Sequence, residues 1–406
     1  MRRRLLLAVM GLAAGLAIAG CAATTSAGES RQVLVDYVHD EVASSFISYF
    51  PKDVTVHPGD TVVFRQEWTG EAHSVTMGAM VDEMMAVVGP LIEKYGDSPE
   101  EPPRKVIKEY ERAIAPLPEM IFFEADDFEV NQNAGQPCYL DSGRPPKDPD
   151  TPCDDADQEQ PPFDGRQSYY NSGFIPYEGP QGNEFTVQLA DDIEPGVYNY
   201  YCNLHGPFQA GTITVAEPDA AIPSQEEVSR QARTEIEAQA APLVDAFDAA
   251  PREGEAKIYG MTVEPPLAGW GTEAPGPHSS INEFIPEAIE VEAGEPVTWT
   301  FVGGHTVSFK VPEYFAQIVV EDDGTVVYTE EAWQPVNSPA PPEPPKGEPE
   351  GPPEPVLVDA GEWEGNEFIS SGLQGEIQYR LTFTEPGTYS YACLIHPQMV
   401  GSVEVR

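Results

Sequence analysis

A stretch of this chain is present twice, and any fold that accepts the sequence must give both copies equivalent surroundings. Phe50, Pro51, Val54, Val56, Gly59 and Phe64 recur at a constant offset as Ile285, Pro286, Ile289, Val291, Gly294 and Trp299. Each copy reads as strand, glycine turn, strand. In the second copy Val297, Trp299 and Phe301 fall on one face and Thr298 and Thr300 on the other, the alternation of a half-buried antiparallel strand. Both copies then reach a histidine, His73 or His305. Further on, Asn171-Ser172-Gly173 resembles Ser370-Ser371-Gly372, and Glu194-Pro195-Gly196 resembles Glu385-Pro386-Gly387. Each glycine of the latter pair is followed six residues later by Cys202 or Cys393. A strand period of two places Tyr198, Tyr200 and Cys202 on one face, and likewise Tyr389, Tyr391 and Cys393. Both thiols are expected to point inward among aromatic neighbours.

The repeat sets the organisation of the 406 residues. The first domain is expected over 31–217, with an insertion at about 79–165, and the second over 256–406, with a Pro-rich insertion at about 311–365. In the first insertion Met80, Met84, Val87 and Leu91 follow a helical pattern, and a second amphipathic run extends from Arg104 to Ala115. Met77, Met80, Met84 and Met85 could offer thioethers to a soft metal ion, but at helical spacing a Met stripe is more often core. The segment from Gln334 to Pro355 is too polar and Pro-rich to bury a core, and reads as an extended, mobile loop. Residues 218–255 form a linker, in which Ser224 and Glu227 spell a capping box that opens a helix. Pro242 is expected to kink or end that helix.

Residues 1–20 read as an export signal: Arg2, Arg3 and Arg4, an apolar run from Leu5 to Ala19, then Gly20 before Cys21. The junction resembles a bacterial lipobox, in which Cys21 becomes the lipidated first residue and 21–30 a tether. A plain secretory signal with a chance cysteine is the alternative. The expected location is extracytoplasmic, with the chain held to the membrane by its lipid. Lys and Arg number 22 against 68 Asp and Glu. Such an excess of negative charge excludes nucleic acid as a natural partner and would steer the protein towards cationic ones, such as a basic cytochrome. General acidity, as in proteins adapted to high salt, would look the same. Cys138 and Cys153 lie in a Pro-, Gly- and Asp-rich stretch in a compartment where disulfides persist, and are expected to pair.

Cys393, His396 and Met399 place thiolate, imidazole and thioether on one short loop after an inward-facing strand, and the distant His305 supplies a second imidazole. Two His, one Cys and a weak axial Met form the blue-copper donor set. A zinc site, or a buried cysteine beside structural histidines, is the competing reading, although the paired Cys-x-x-Cys elements of zinc ribbons are absent. Here the chain resembles the cupredoxin family, its short Cys-x-x-His-x-x-Met loop looking most like amicyanin, with plastocyanin the better-known relative. The resemblance implies an all-β fold of two Greek-key cupredoxin sandwiches, with helical and Pro-rich insertions, and the ligands His305, Cys393, His396 and Met399. In the first copy His73, Cys202 and His205 match. Counted back from Gly211 and Gly401, however, the residue matching Met399 is Gln209, on a loop one residue longer. Gln is an accepted axial donor, as in stellacyanin-like members of the family. Two type 1 copper sites are thus implied, the first of which could instead be a degenerate domain that binds copper poorly.

The function implied is transfer of single electrons between redox partners, such as a basic cytochrome or a membrane oxidase. A multicopper oxidase needs His-x-His pairs, and this chain has none. A nitrite-reductase-like enzyme needs further histidines for a catalytic copper, and only His39, His57 and His278 remain, singly and in polar contexts. The chain is therefore expected not to be an enzyme. Copper storage or delivery, or a role as accessory domain of a copper-dependent oxidase or reductase, stays open.

Overall fold

The structure is a computed structural model that describes residues 28–96, 102–117, 121–124, 127–146, 153, 160–175, 183–272, 280–313, 315–342, 355–375 and 377–406. The export signal, Cys21, His278 and residues 343–354 of the Pro-rich segment lie outside these. Among the described residues no helix is long and apolar enough to cross a membrane.

Each copy of the repeat builds a β-sandwich. In the first, one sheet runs Glu184–Gln188, Thr61–Gln66, Ser30–Val35, Tyr49–Phe50. The facing sheet runs Asp53–Val56, Gly206–Val215, Gly196–Cys202, His73–Met77, Tyr169–Ile175, Pro137–Leu140. The second sandwich repeats the plan. Pro296–Phe301 sits between Leu267–Trp270 and Ile377–Phe383 in one sheet, and the other runs Ala288–Val291, Val400–Val405, Gly387–Ala392, Ser308–Phe309, Ile369–Ser370. The fold is all-β, two sandwiches with helical insertions, in keeping with the fold expected from the sequence.

Alternation explains the cores. Val62 and Phe64 face inward in the first copy, where Phe64, Tyr49 and Tyr200 pack edge to face. In the second copy Val297, Trp299 and Phe301 are buried, and Trp299 packs on Phe309 and Tyr391. Burying rings of this size dominates the stability of each sandwich, at about 1.5–3 kcal/mol for a buried Phe-sized side chain.

The insertion helix Ala79–Tyr95 buries Met80, Val81, Met84 and Val88, while Val87 is 37% exposed. The buried stripe is therefore turned from the expected one, because Val81 and Val88 close onto the sheet. Leu91 instead lines a groove with Val106, Ile107 and Tyr110 of the helix Arg104–Ile114. Met80 and Met84 are core residues beside Cys138, Cys153 and Tyr169, and Met77 is buried in the first sandwich. Cys138 and Cys153 form a disulfide with their Cα atoms 5.7 Å apart, which ties this insertion together.

The long helix Gln225–Ala249 opens with the expected capping box of Ser224 and Glu227. It runs through Pro242 without ending there. Proline removes one amide from the ladder, and burial of Ile236, Ala240 and Leu243 on either side offsets that loss. These residues pack with Val42, Phe46 and Phe50 of the first half and Ile281 of the second, so the helix clamps both halves. Ser44–Ser45 also pairs with Ser280–Ile285, extending a second-half sheet with first-half residues. A third contact joins Ala72, Ala134 and Phe174 to Ile318 and Val326, with Gln132 exchanging hydrogen bonds of 2.9 and 3.0 Å with the backbone of Val326.

Candidate metal centres

The strand Gly196–Cys202 ends at Cys202, and the strand His73–Met77 begins at His73, so neighbouring strands deliver both to one end of the first sandwich. His205 lies three residues beyond Cys202, on the loop that turns back into Gly206–Val215. Ligand atoms of His73, Cys202 and His205 converge within 4.8 Å of one another. Gln209 completes the set: its Oε1 is 3.0 Å from His73 Nδ1 and 2.9 Å from His205 Nδ1. The correspondence of Gln209 with Met399 works because Gly211 pairs with Tyr200 and Gly401 with Tyr391, which fixes both loops to the same frame.

The second centre repeats the first. His305, Cys393 and His396 converge within 4.8 Å, with His305 Nδ1 3.1 Å from His396 Nδ1 and Cys393 Sγ 3.5 Å from that same nitrogen. Met399 is fully buried, and its carbonyl accepts the Cys393 amide at 2.9 Å. Seven of the eight ligand candidates named from the sequence thus lie on these two loops or on the strands beside them, and His305 sits at an isolated bridge to Gln374 just before Ser308–Phe309. His39 and His57 lie elsewhere and are partly exposed, with His57 Nε2 2.9 Å from the Ala220 carbonyl.

Each sulfur accepts a hydrogen bond from a backbone amide. The Ser74 amide donates to Cys202 Sγ at 3.3 Å, and the Thr306 amide to Cys393 Sγ at 3.4 Å. The same two residues lock the loops, as the Asn203 amide donates to Ser74 Oγ and the Leu394 amide to Thr306 Oγ1, each at 2.8 Å. Burial pushes both thiols up, but the facing histidines outweigh it and bring Cys202 and Cys393 well below the usual thiol range. A thiolate and two imidazoles, with an amide oxygen beside the first set and a buried thioether on the loop of the second, suit copper better than a hard cation. The donor sets fit two copper sites.

Sequence reasoning missed the groups that hold the outer edges of the imidazoles. Asp36 is fully buried, and its Oδ2 lies 3.2 Å from His73 Nε2. Its carboxylate also accepts from Thr69 Oγ1 at 2.7 Å and from the amides of Tyr37 and Phe46. Burial alone would lower the pKa of His73, but Asp36 and Cys202 outweigh it and raise it to about 9. Leu34 pairs with Arg65 and Leu267 with Thr300, and Arg65 and Thr300 correspond through the repeat. Two residues further on, the equivalent positions are Asp36 and Gly269, both with positive φ, 61° and 88°. Gly269 lies directly against the second imidazole, where a Cβ would come within 2.2 Å of His305 Nε2. That nitrogen has no hydrogen-bond partner among the described residues, and burial holds His305 below its usual value.

A second carboxylate joins the centres. Glu71 Oε1 is 3.2 Å from His396 Nε2, and its Oε2 is 3.8 Å from His205 Nε2. Burial raises the acid, but the two imidazoles more than reverse this and hold it well below the usual carboxylate range. No residue near Glu71 in sequence signals this role, because its second partner comes from the other half of the chain.

No family model matches the chain, and no curated protein matches it. Among solved structures it is similar to a variant of amicyanin in its reduced Cu(I) form at pH 4, with 22% identity and a TM-score of 0.17, over 30% of this chain and 73% of that one. An oxidised variant of amicyanin gives 22% identity and a TM-score of 0.17 over the same shares. The oxidised form of plastocyanin from Dryopteris crassirhizoma gives 18% and 0.15, over 31% of this chain and 91% of that one. At this level the likeness carries no argument about function.

Proposed function

We propose that the chain is an extracytoplasmic blue copper protein, lipid-anchored through Cys21, that carries single electrons between redox partner proteins and is not an enzyme. The observation that supports this most is the duplication of one donor set: a buried cysteine and two imidazoles converge in both sandwiches, with the Gln209 oxygen beside the first pair of rings and the buried Met399 on the second loop. His73, Cys202, His205 and Gln209 would hold one copper, and His305, Cys393, His396 and Met399 the other. Copper bound there would supply a one-electron couple between Cu(I) and Cu(II). The protein's part is to keep the ligands still. Ser74 and Thr306 tie each ligand loop to the adjacent strand, and buried aromatic rings brace each cysteine strand. A rigid donor set suits electron transfer, whereas a site for storage or delivery must open to exchange its metal.

Reversible voltammetry and metal-exchange kinetics on the purified protein separate these functions. Electron transfer predicts two reversible one-electron waves and slow exchange of copper with a chelator. Rapid, complete loss of copper to a weak chelator would favour storage or delivery instead.

A further inference from the structure

The outer edges of the two loop histidines meet at one side chain. Glu71 follows Gly70, whose φ of 109° carries the chain against the second ligand loop, where a Cβ would lie 2.0 Å from the Ile395 carbonyl. The approach is therefore built for glycine. Gln398 Nε2 closes the same contact by donating to the Trp68 carbonyl at 3.3 Å. Were His205 and His396 to ligate copper through Nδ1, each Nε2 would carry the ring proton and face Glu71, hydrogen-bonded at 3.2 Å for His396 and ion-paired at 3.8 Å for His205. A carboxylate has one oxygen for each of two N–H groups. An amide has only one acceptor oxygen and would turn its own N–H groups on the second ring.

We infer that Glu71 is the positioning residue that couples the two copper sites, orienting His205 and His396 edge to edge across the domain contact so that an electron passes between the sites within one chain. The inference rests on both donor sets holding copper. In the step, Cu(I) at one site becomes Cu(II) and Cu(II) at the other becomes Cu(I); no bond forms or breaks, and both Nε2 protons stay in place. Electrons taken up at one site then leave from the other without a second protein encounter. The same carboxylate places one negative charge between two cationic sites, so it also holds down the potential of each.

The test uses the full chain loaded with copper. One site is reduced by pulse radiolysis, and the concentration-independent redistribution between sites is followed optically, with potentials measured in parallel. Replacing Glu71→Gln or Glu71→Ala is expected to slow redistribution by about tenfold or more, the scale on which displaced contacts change a rate. Both blue bands should persist and both potentials should rise. Glu71→Asp keeps the charge but is one methylene too short, so it should slow the rate with little change in potential. Gln132→Ala, which loosens the domain contact away from the centres, should leave the rate unchanged. Wild-type rates in the Glu71 variants, or an equal loss in Gln132→Ala, would overturn the inference. A wild-type protein that takes up one copper or none contradicts the proposed function itself, and that is read before any variant is compared.

Discussion

The two centres share a scaffold and differ around the imidazole that each receives from the start of a strand. At equivalent positions the first copy has Asp36, bonded to His73, and the second has Gly269, pressed flat against His305. The first site thus gives its ring a buried negative partner and sets an amide oxygen beside both imidazoles, while the second gives neither. Negative charge and a harder donor favour the cupric state; a thioether and an apolar surround favour the cuprous state. Duplication has kept the ligand geometry, and divergence acts on the groups behind it. The first site is accordingly expected to be the lower in potential, and electrons to run from the first domain to the second.

The bluntest way to break the comparison is to remove one sulfur at a time. Cys393→Ser should abolish the second site's thiolate-to-copper absorption and leave the first, and Cys202→Ser should do the reverse. Visible spectra of the two variants then assign each band. Should Cys202→Ser leave the copper content and spectrum unchanged, the first domain is a degenerate copy that binds no copper.

Metal-free protein offers a pH test of the same asymmetry. His73 is raised from 6.5 to about 9, so its stabilising contribution is fully present below 6.5 and is lost as pH rises through about 9. His305 is lowered from 6.5, so its folded form resists protonation and the second domain weakens as pH falls below 6.5. Thermal unfolding followed from pH 5 to about 10 should show the first effect shrink in Asp36→Asn, to the part that Cys202 and His205 still supply, and the second persist. Each effect is worth at most about 1.4 kcal/mol for every tenfold difference in proton affinity between the folded and unfolded chain.

Asp36→Asn in the copper-loaded protein sharpens the comparison further. Loss of a carboxylate behind a ligating histidine should weaken copper binding at the first site about 10–100-fold, and raise its potential, with the second site untouched. Competition with a chelator and voltammetry measure both. The smallest effect is expected from Gln209→Met, which should raise the first potential towards the second while Asp36 keeps the two from becoming equal. No response to this substitution would remove Gln209 from the axial role.

The two His, Cys, His groups were legible in the sequence because most of each is local. Cys and the second His stand three positions apart, and the repeat supplied the distant histidine by correspondence. The fold class was legible for the same reason, since strand alternation and glycine turns recur in register. Ser74 and Thr306 each directly follow the repeated histidine, but Asp36 and Glu71 carried no such pattern. Asp36 follows the strand Ser30–Val35 and reaches His73 only through sheet pairing, and Glu71 acquires its meaning from a loop in the other half of the chain. The helix through Pro242 shows the same limit, because a local breaker was outweighed by apolar packing from both domains.

Copper analysis of the purified full-length protein, read together with its visible spectrum and a potentiometric titration, shows whether one chain carries two copper sites of the same kind, differently tuned. Two coppers per chain are expected, with an intense blue oxidised form and two separate one-electron steps, the lower assigned to the first domain. A colourless protein that stays filled with zinc in excess copper, or a single one-electron step from one copper, would contradict this expectation.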